Sequence, residues 1–251
     1  MPWRSLMFTG FLLLVIVGGV VWKLQAPRQA TVQTAQTRHT NPDEPPLLLK
    51  GIGVNLAAYD PATNKAGDFV FTRQKLQFGR LWMDYAFSIP ASSAGAAKRN
   101  PQPTFILPLG THVRSLVDGV VVDIPKLYSG DYSVMVAPDR QSRWRYETEH
   151  VINPTVKIGD RVAAGQVIAE VSDYDSRNTP GFGLVEIGIL KGGSPPQHLC
   201  PFQYLDPSIK DTTQRNIRAL YRAWETYRGQ PDLYDETVEP VGCLTTGFID
   251  G

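Results

Sequence analysis

The chain has 251 residues, with 25 Lys+Arg against 24 Asp+Glu, a formal net charge of +1, and 42% hydrophobic and 20% charged residues. That length holds one large domain or two small ones. The hydrophobic content excludes a wholly disordered chain, and the balanced charge excludes a nucleic-acid binder driven by net positive field. With 22 Gly and 20 Pro, turns and short strands are favoured over long helices.

The first element is an apolar run. Ser5 to Trp22 contains no charged residue, is 18 residues long and has Trp3 and Trp22 at its ends. This is about the minimum for a membrane-spanning helix with interfacial aromatics. A cleaved signal peptide is the rival, but the candidate cut after Leu24-Gln25-Ala26 is followed by Pro27, a poor context. Residues 1–23 are therefore expected to form an anchor. They carry Arg4 and Lys23, which leaves 23 basic against 24 acidic residues in the remainder. Lys23, Arg28 and Arg38 after the span weigh against an outside body, yet long domains translocate regardless of such counts. The body is expected on the extracytoplasmic side. Residues 24–46 are polar, rich in Gln, Thr and Pro, and without apolar period, which predicts a linker.

From Leu47 to Asp206 short apolar runs alternate with turn signals. They predict strands at 51–57, 68–71, 81–87, 117–124, 132–137, 144–150, 166–171 and 184–190. This is the pattern of a mostly β domain, a compact antiparallel sandwich or barrel. One pattern occurs twice: Gly110-Thr-His-Val113 with Asp118-Gly119 and a Val-rich strand, then Gly159-Asp-Arg-Val162 with Ala164-Gly165 and a second such strand. Glycines at these corners suit tight turns, and the apolar residues fill a narrow interior. In the segment 207–251, Thr212–Arg228 reads as an amphipathic helix, with Ile217, Leu220, Tyr221, Trp224 and Tyr227 at helical steps and a stop at Gly229 and Pro231. It either packs on the β domain or meets a partner or membrane surface. Cys200 and Cys243 are either one disulfide, tying the tail back, or two free thiols.

Two stretches carry a resemblance. Phe105 to Val121 (FILPLGTHVRSLVDGVV) is similar to the P-x-G-T-x-V-x-A-x-x-D-G-V-V stretch of lysostaphin/LytM-type zinc metallopeptidases. Val156 to Ile168 (VKIGDRVAAGQVI) resembles their V-K-x-G-x-x-V-x-x-G-Q-x-I. Extended over Gly79–Leu190, the resemblance implies a compact antiparallel β core with a duplicated hybrid motif, in enzymes that cut peptidoglycan cross-bridges. It also implies zinc held by the His and Asp of H-x-x-x-D and the second His of a late H-x-H. Three such ligands leave a fourth position where water is activated. A further His at a Y-x-H-like strand end assists the developing charge.

On this chain the resemblance places H-x-x-x-D at Arg80-Leu-Trp-Met-Asp84, with Arg80 where the His would stand. A permanent cation there opposes a metal. Tyr146-Glu-Thr-Glu-His150 lies six residues before Val156 and makes His150 the catalytic candidate. The late H-x-H falls within Gly181–Ile189, which has no histidine. Glu186 there is a ligand candidate or the ordinary Glu after H-x-H-F. Of the other histidines, His39 is in the linker, His112 in a turn and His198 beyond the last core strand. Blander roles stand beside these. Asp84 is a turn residue or an ion-pair partner of Arg80, His150 a hydrogen-bonded polar side chain, and Glu186 a solvent-facing strand residue. Trp82, Tyr85 and Trp144 are core aromatics or stacking surfaces.

The expected function is a membrane-tethered, catalytically degenerate peptidase-like module. It binds cell-wall peptide or an envelope protein through Arg80, Asp84 and Glu186, with no cofactor and no nucleic acid. The alternative is an active zinc endopeptidase with the displaced ligands Asp84 and Glu186 and the assisting His150. A periplasmic adaptor or carrier is a further alternative. An adaptor needs a helical hairpin where Ile124 to Val156 is short and strand-like, and a carrier needs a modifiable lysine in an M-K-M context that is absent.

Overall fold

The computed structural model describes residues 41, 43–91, 96–174, 176 and 179–251. The predicted anchor at 5–22 and most of the linker lie outside these residues. Among the described residues no helix is long and apolar enough to cross a membrane.

In chain order the elements are β1 (Lys65–Ala66), β2 (Phe69–Val70), β3 (Trp82–Met83), β4 (Ser88–Ile89), β5 (Lys98–Arg99), β6 (Thr104–Pro108), β7 (His112–Arg114), β8 (Gly119–Asp123), β9 (Tyr132–Ala137) and β10 (Trp144–Ile152). They continue with β11 (Arg161–Val162), β12 (Val167–Val171), β13 (Phe182–Lys191), β14 (Gln197–Leu199), α1 (Pro207–Arg228) and β15 (Ile249–Asp250). Eleven of the strands form one antiparallel sheet, and β1–β2 and β4–β5 are separate hairpins. β13 is its spine: its first half pairs with β6, its last three residues with β14, and its other edge with β10.

The duplicated motif explains how the sheet turns back on itself. The first copy supplies β7 and β8, the second β11 and β12, and the copies exchange partners. β12 pairs with β7 (Val167↔Arg114), and β11 pairs with β8 (Arg161↔Val120). Asp118 of the first copy accepts a hydrogen bond from the Ala164 N–H of the second at 2.7 Å. Gly119 is required by close approach, because a Cβ there would stand 2.5 Å from the Ala137 carbonyl.

Two predicted strands are not regular strands. Residues 51–57 bury Ile52 and Val54, but their backbone partners are scattered. Arg114 N–H meets the Gly53 carbonyl, while the preceding Leu49 and Lys50 N–H groups meet Tyr204 and Leu116. The segment at 81–87 keeps only β3, because Ala86 takes a φ of 69° and Tyr85 bridges to Cys243 in the tail. Conversely, β6 was not expected, since Pro101, Pro103 and Pro108 bracket a strand that is nonetheless buried.

Helix α1 starts five residues before the predicted Thr212. Asp206 is the N-cap, its Oδ1 accepting from the Ser208 N–H at 2.9 Å with Pro207 at the first helical position, and Gly229 closes the helix at φ 66°. Ile217, Leu220, Tyr221 and Trp224 are buried. Beneath them Trp82 meets Phe105 (4.3 Å between centroids), Phe202 (5.3 Å) and Tyr221 (6.0 Å). The helix thus packs on the β domain. Cys200 and Cys243 form a disulfide, which ties the tail to the end of β14. Replacing the cap, Asp206→Ala, is expected to lower stability by about 1 kcal/mol in urea titration at pH 7. The Ser208 hydrogen bonds hold the Asp206 carboxyl below its ordinary value. Its contribution is therefore present above the unfolded pKa and lost as pH falls through the folded one, and the difference between variant and parent should vanish in acid.

Candidate functional site

The outer face of the sheet, away from α1, carries Glu186 and His150, two of the four polar side chains singled out by the sequence. Registers put Met83, Thr104, Glu186 and Glu149 in one row across β3, β6, β13 and β10. The next row, Trp82, Phe105 and Val185, belongs to the opposite, helix-covered face. On the outer face Asn100 Nδ2 donates to the Gln102 carbonyl (2.5 Å) and to Thr104 Oγ1 (2.8 Å), and Thr104 Oγ1 donates to Glu186 Oε1 (2.8 Å). Burial pushes the Glu186 carboxyl up to about 7, against the pull of His150.

A second carboxyl, missed by sequence reasoning, lies beside it. Glu147 on β10 is 3% exposed. Its Oε2 accepts from Gln102 Nε2 at 3.0 Å, and its Oε1 from the Ser133 hydroxyl. Burial first, then the negative charge of Glu149, raises Glu147 to about 8. The only available signal was its alternation with Tyr146 and Thr148 in a strand already expected to be half-buried.

His150 sits where β10 breaks register with β9, in a bulge between Thr148 and Val151, at a φ of 57°. Bulges re-aim a side chain, and positive φ in a non-glycine residue is a conformation that the surroundings must hold in place. Asp131 Oδ2 is 2.9 Å from His150 Nδ1, and Tyr174 stacks on the ring at 4.2 Å with planes 7° apart. Burial would raise the Asp131 carboxyl, but hydrogen bonds from Ser129, Ser172 and His150 outweigh it and leave the carboxyl low. This is an oriented histidine–carboxylate pair, of the kind that holds a proton at a fixed place.

Arg80 and Asp84 are elsewhere. Asp84 is 1% exposed, and its Oδ1 accepts from the hydroxyl of Tyr221 on α1. Burial lifts its carboxyl to about 6, opposed by Tyr221 and Arg80. The Arg80 guanidinium lies over the rings of Phe87 (5.0 Å) and Tyr234 (4.8 Å), without an ion pair among the described residues. The structure thus groups Glu186 with His150 on one face and Arg80 with Asp84 on the α1 side. His112 is exposed in β7, and His198 is buried in β14, where burial lowers it to about 4.

Zinc, which the resemblance implies, needs three nitrogen or oxygen donors free to face the ion. The four-residue step of H-x-x-x-D recurs at Asn100 and Thr104, on the face that carries Glu186. With Glu186 as the Glu after H-x-H-F, the two histidine places are Phe182 and Leu184. Asn100 turns amide hydrogens, not a lone pair, toward Thr104, and Phe182 and Leu184 are apolar and buried. Among the described residues the space bounded by Gln77, Tyr174, Thr179, Phe182 and Leu184 is small, about 10 Å³. Gly183 between the two places is forced, since a Cβ would stand 1.7 Å from the Ser172 carbonyl. Among the described residues no group of three His, Cys, Asp or Glu side chains is placed to hold a metal ion. These residues do not fit zinc, and Asp84, His150 and Glu186 are not brought into one ligand set.

Comparison with known proteins gives one family match and several distant structural alignments. Residues 104–194 match the family model described as Peptidase family M23. No curated protein matches the chain. Among solved structures, LytU aligns at 23% identity over 51% of this chain and 81% of that chain, with a TM-score of 0.37. The catalytic domain of the prophage-encoded M23 protein EnpA from Enterococcus faecalis aligns at 24% over 50% and 92%, with a TM-score of 0.36. Lysostaphin from Staphylococcus simulans aligns at 19% over 44% of this chain, at a TM-score of 0.36, and the aligned part spans only 42% of lysostaphin's own length. The matched segment begins at Thr104, the first residue of β6, so Arg80 and Asp84 precede it. Residues 104–194, which carry the duplicated hairpin motif and much of the antiparallel sheet, thus match peptidase family M23 and resemble a lysostaphin/LytM-type domain.

Proposed function

We propose that this chain is a non-catalytic M23-type module that binds cell-wall peptide or an envelope protein, held at the membrane by residues 5–22 with its body on the extracytoplasmic side. The observation that carries the reading is the hydrogen-bond chain from Asn100 through Thr104 to Glu186, with the buried apolar Phe182 and Leu184 next along the same face of β13, where metal ligands would be needed. The Cys200–Cys243 disulfide supports an oxidising compartment. Peptidoglycan is the proposed target because the family resemblance points to it. The adaptor alternative finds no support, since 124–156 contains β9 and β10 in place of a helical hairpin.

The test uses the detergent-solubilised full chain. It is incubated with zinc, dialysed, assayed for metal content, mixed with purified cross-linked peptidoglycan, and examined for released termini and for cosedimentation. The expected result is far less than one zinc per chain, no new termini, and sedimentation with the polymer. One zinc per chain together with zinc-dependent release of cross-bridge termini overturns the reading.

A further inference from the structure

One open cleft is not on the polar face of the sheet. It lies on the α1 side, between the end of that helix, the tail segment 232–237 and the chain at 84–88, and has a volume of about 650 Å³. That size is within the range of small-ligand sites, about 300–1,000 Å³, and suits two or three amino-acid residues. None of its lining belongs to the matched segment 104–194.

The charges of the cleft are unusual in their arrangement. Arg80 is only partly exposed and rests on Phe87 and Tyr234, so two aromatic faces fix the guanidinium without using its hydrogen-bond donors. Among the described residues no carboxylate pairs with it. Asp84 on the wall has one oxygen taken by Tyr221. Of the other lining carboxylates, Glu225 Oε1 accepts from the Tyr234 N–H and Glu236 pairs with Arg222, which leaves the exposed Asp232 and Asp235 at the rim without a cation among the described residues. The hydroxyl and N–H of Thr237 hold the Asp235 carboxyl in place and below its ordinary pKa. An anion alone would satisfy Arg80 but meet the rim acids. A cation alone would satisfy the rim but meet Arg80. A molecule with both charges, carboxylate inward and ammonium outward, satisfies the two together, and a planar carboxylate matches the fork of a guanidinium.

We propose that this cleft binds the end of a short peptide whose last residue carries a free carboxylate and a side-chain amine, with the carboxylate on Arg80 and the ammonium at Asp232 and Asp235. The inference rests on the binding reading above and gives it a location and a ligand chemistry.

The test is calorimetric titration of the full chain with three probes: N-acetyl-alanyl-lysine, the same peptide as its C-terminal amide, and the same peptide with the lysine amine acetylated. The first should bind saturably, and each of the other two about tenfold or more weakly. Arg80→Met, which keeps the aliphatic stem against Phe87 and Tyr234, should abolish the preference for the free carboxylate. Asp232→Asn with Asp235→Asn should abolish the preference for the free amine. Equal binding of the three probes, or no saturation by the first at about 10 mM, overturns the proposal; the parent protein alone supplies both readouts, whatever the fate of the variants. If the chain sediments with peptidoglycan while the peptide fails to bind, the cleft assignment falls and the module reading stands. If the peptide binds while the polymer does not sediment, the reverse holds.

Discussion

Removal of the Cys200–Cys243 disulfide is expected to lower the unfolding free energy by about 4 kcal/mol. The bond closes a 43-residue loop, and cross-linking a loop of that length restricts the unfolded chain by roughly this amount. Within the loop are α1 and the segment 232–237, so more than chain entropy depends on it. Cys243 is also the tail residue that bridges to Tyr85, whose hydroxyl lies 2.8 Å from both the His198 and the Gly247 carbonyl. Urea titration of the Cys200→Ala/Cys243→Ala variant checks the figure. A loss below about 1 kcal/mol would show that sheet and helix packing alone hold the tail.

The second large effect belongs to Glu147. In the folded protein its carboxyl is raised from 4.5 to about 8, chiefly by burial. A raised acid binds its proton more tightly when folded. Its contribution is therefore full below the unfolded value of 4.5 and is lost as pH rises through the folded value near 8. Glu147→Gln keeps the shape and the partners: the new amide accepts from Gln102 and donates to Ser133. The variant should be more stable than the parent at pH 9, on the order of 3 kcal/mol, with the gap closing toward pH 5. Thermal melts across that range decide it. Parallel pH profiles for the two proteins would show that Glu147 is solvated enough to ionise freely. Glu147→Leu is expected to be worse than either, because Gln102 and Ser133 lose their buried acceptor.

Helix α1 and the repeated motif were legible because their signals are local. Apolar residues at helical steps from Ile217 to Trp224 and the stop at Gly229 mark the helix, and paired glycines mark corners, whereas the start at Asp206-Pro207 reads as a turn in the sequence. Register is not local, and the site depended on register. Arg80 and Asp84 have the spacing of H-x-x-x-D, but β3 pairs with β6 so that Met83, not Asp84, joins the row of Thr104 and Glu186. Asn100 and Thr104 carry the same spacing on the right face. The strand that begins at Thr104 was hidden by three prolines, which ordinarily argue against a central strand. Here Pro101 and Pro103 precede β6, and Pro108 is its last residue. Glu147 was invisible for another reason. A glutamate in an alternating strand usually marks the wet face, whereas here Glu147 is buried beside the likewise buried Gln102.

The position of β13 has an evolutionary corollary. Ten residues of that strand set the pairing of three neighbours at once, along both edges. An insertion or deletion of one residue would turn Phe182, Leu184 and Glu186 to the covered face and push Val185 and Ile187 into the open. Point substitution leaves that frame untouched. The length of β13 is therefore far more tightly constrained than the identity of its side chains: 182 and 184 can change residue without moving the frame, whereas one added or lost residue moves every side chain of the strand at once.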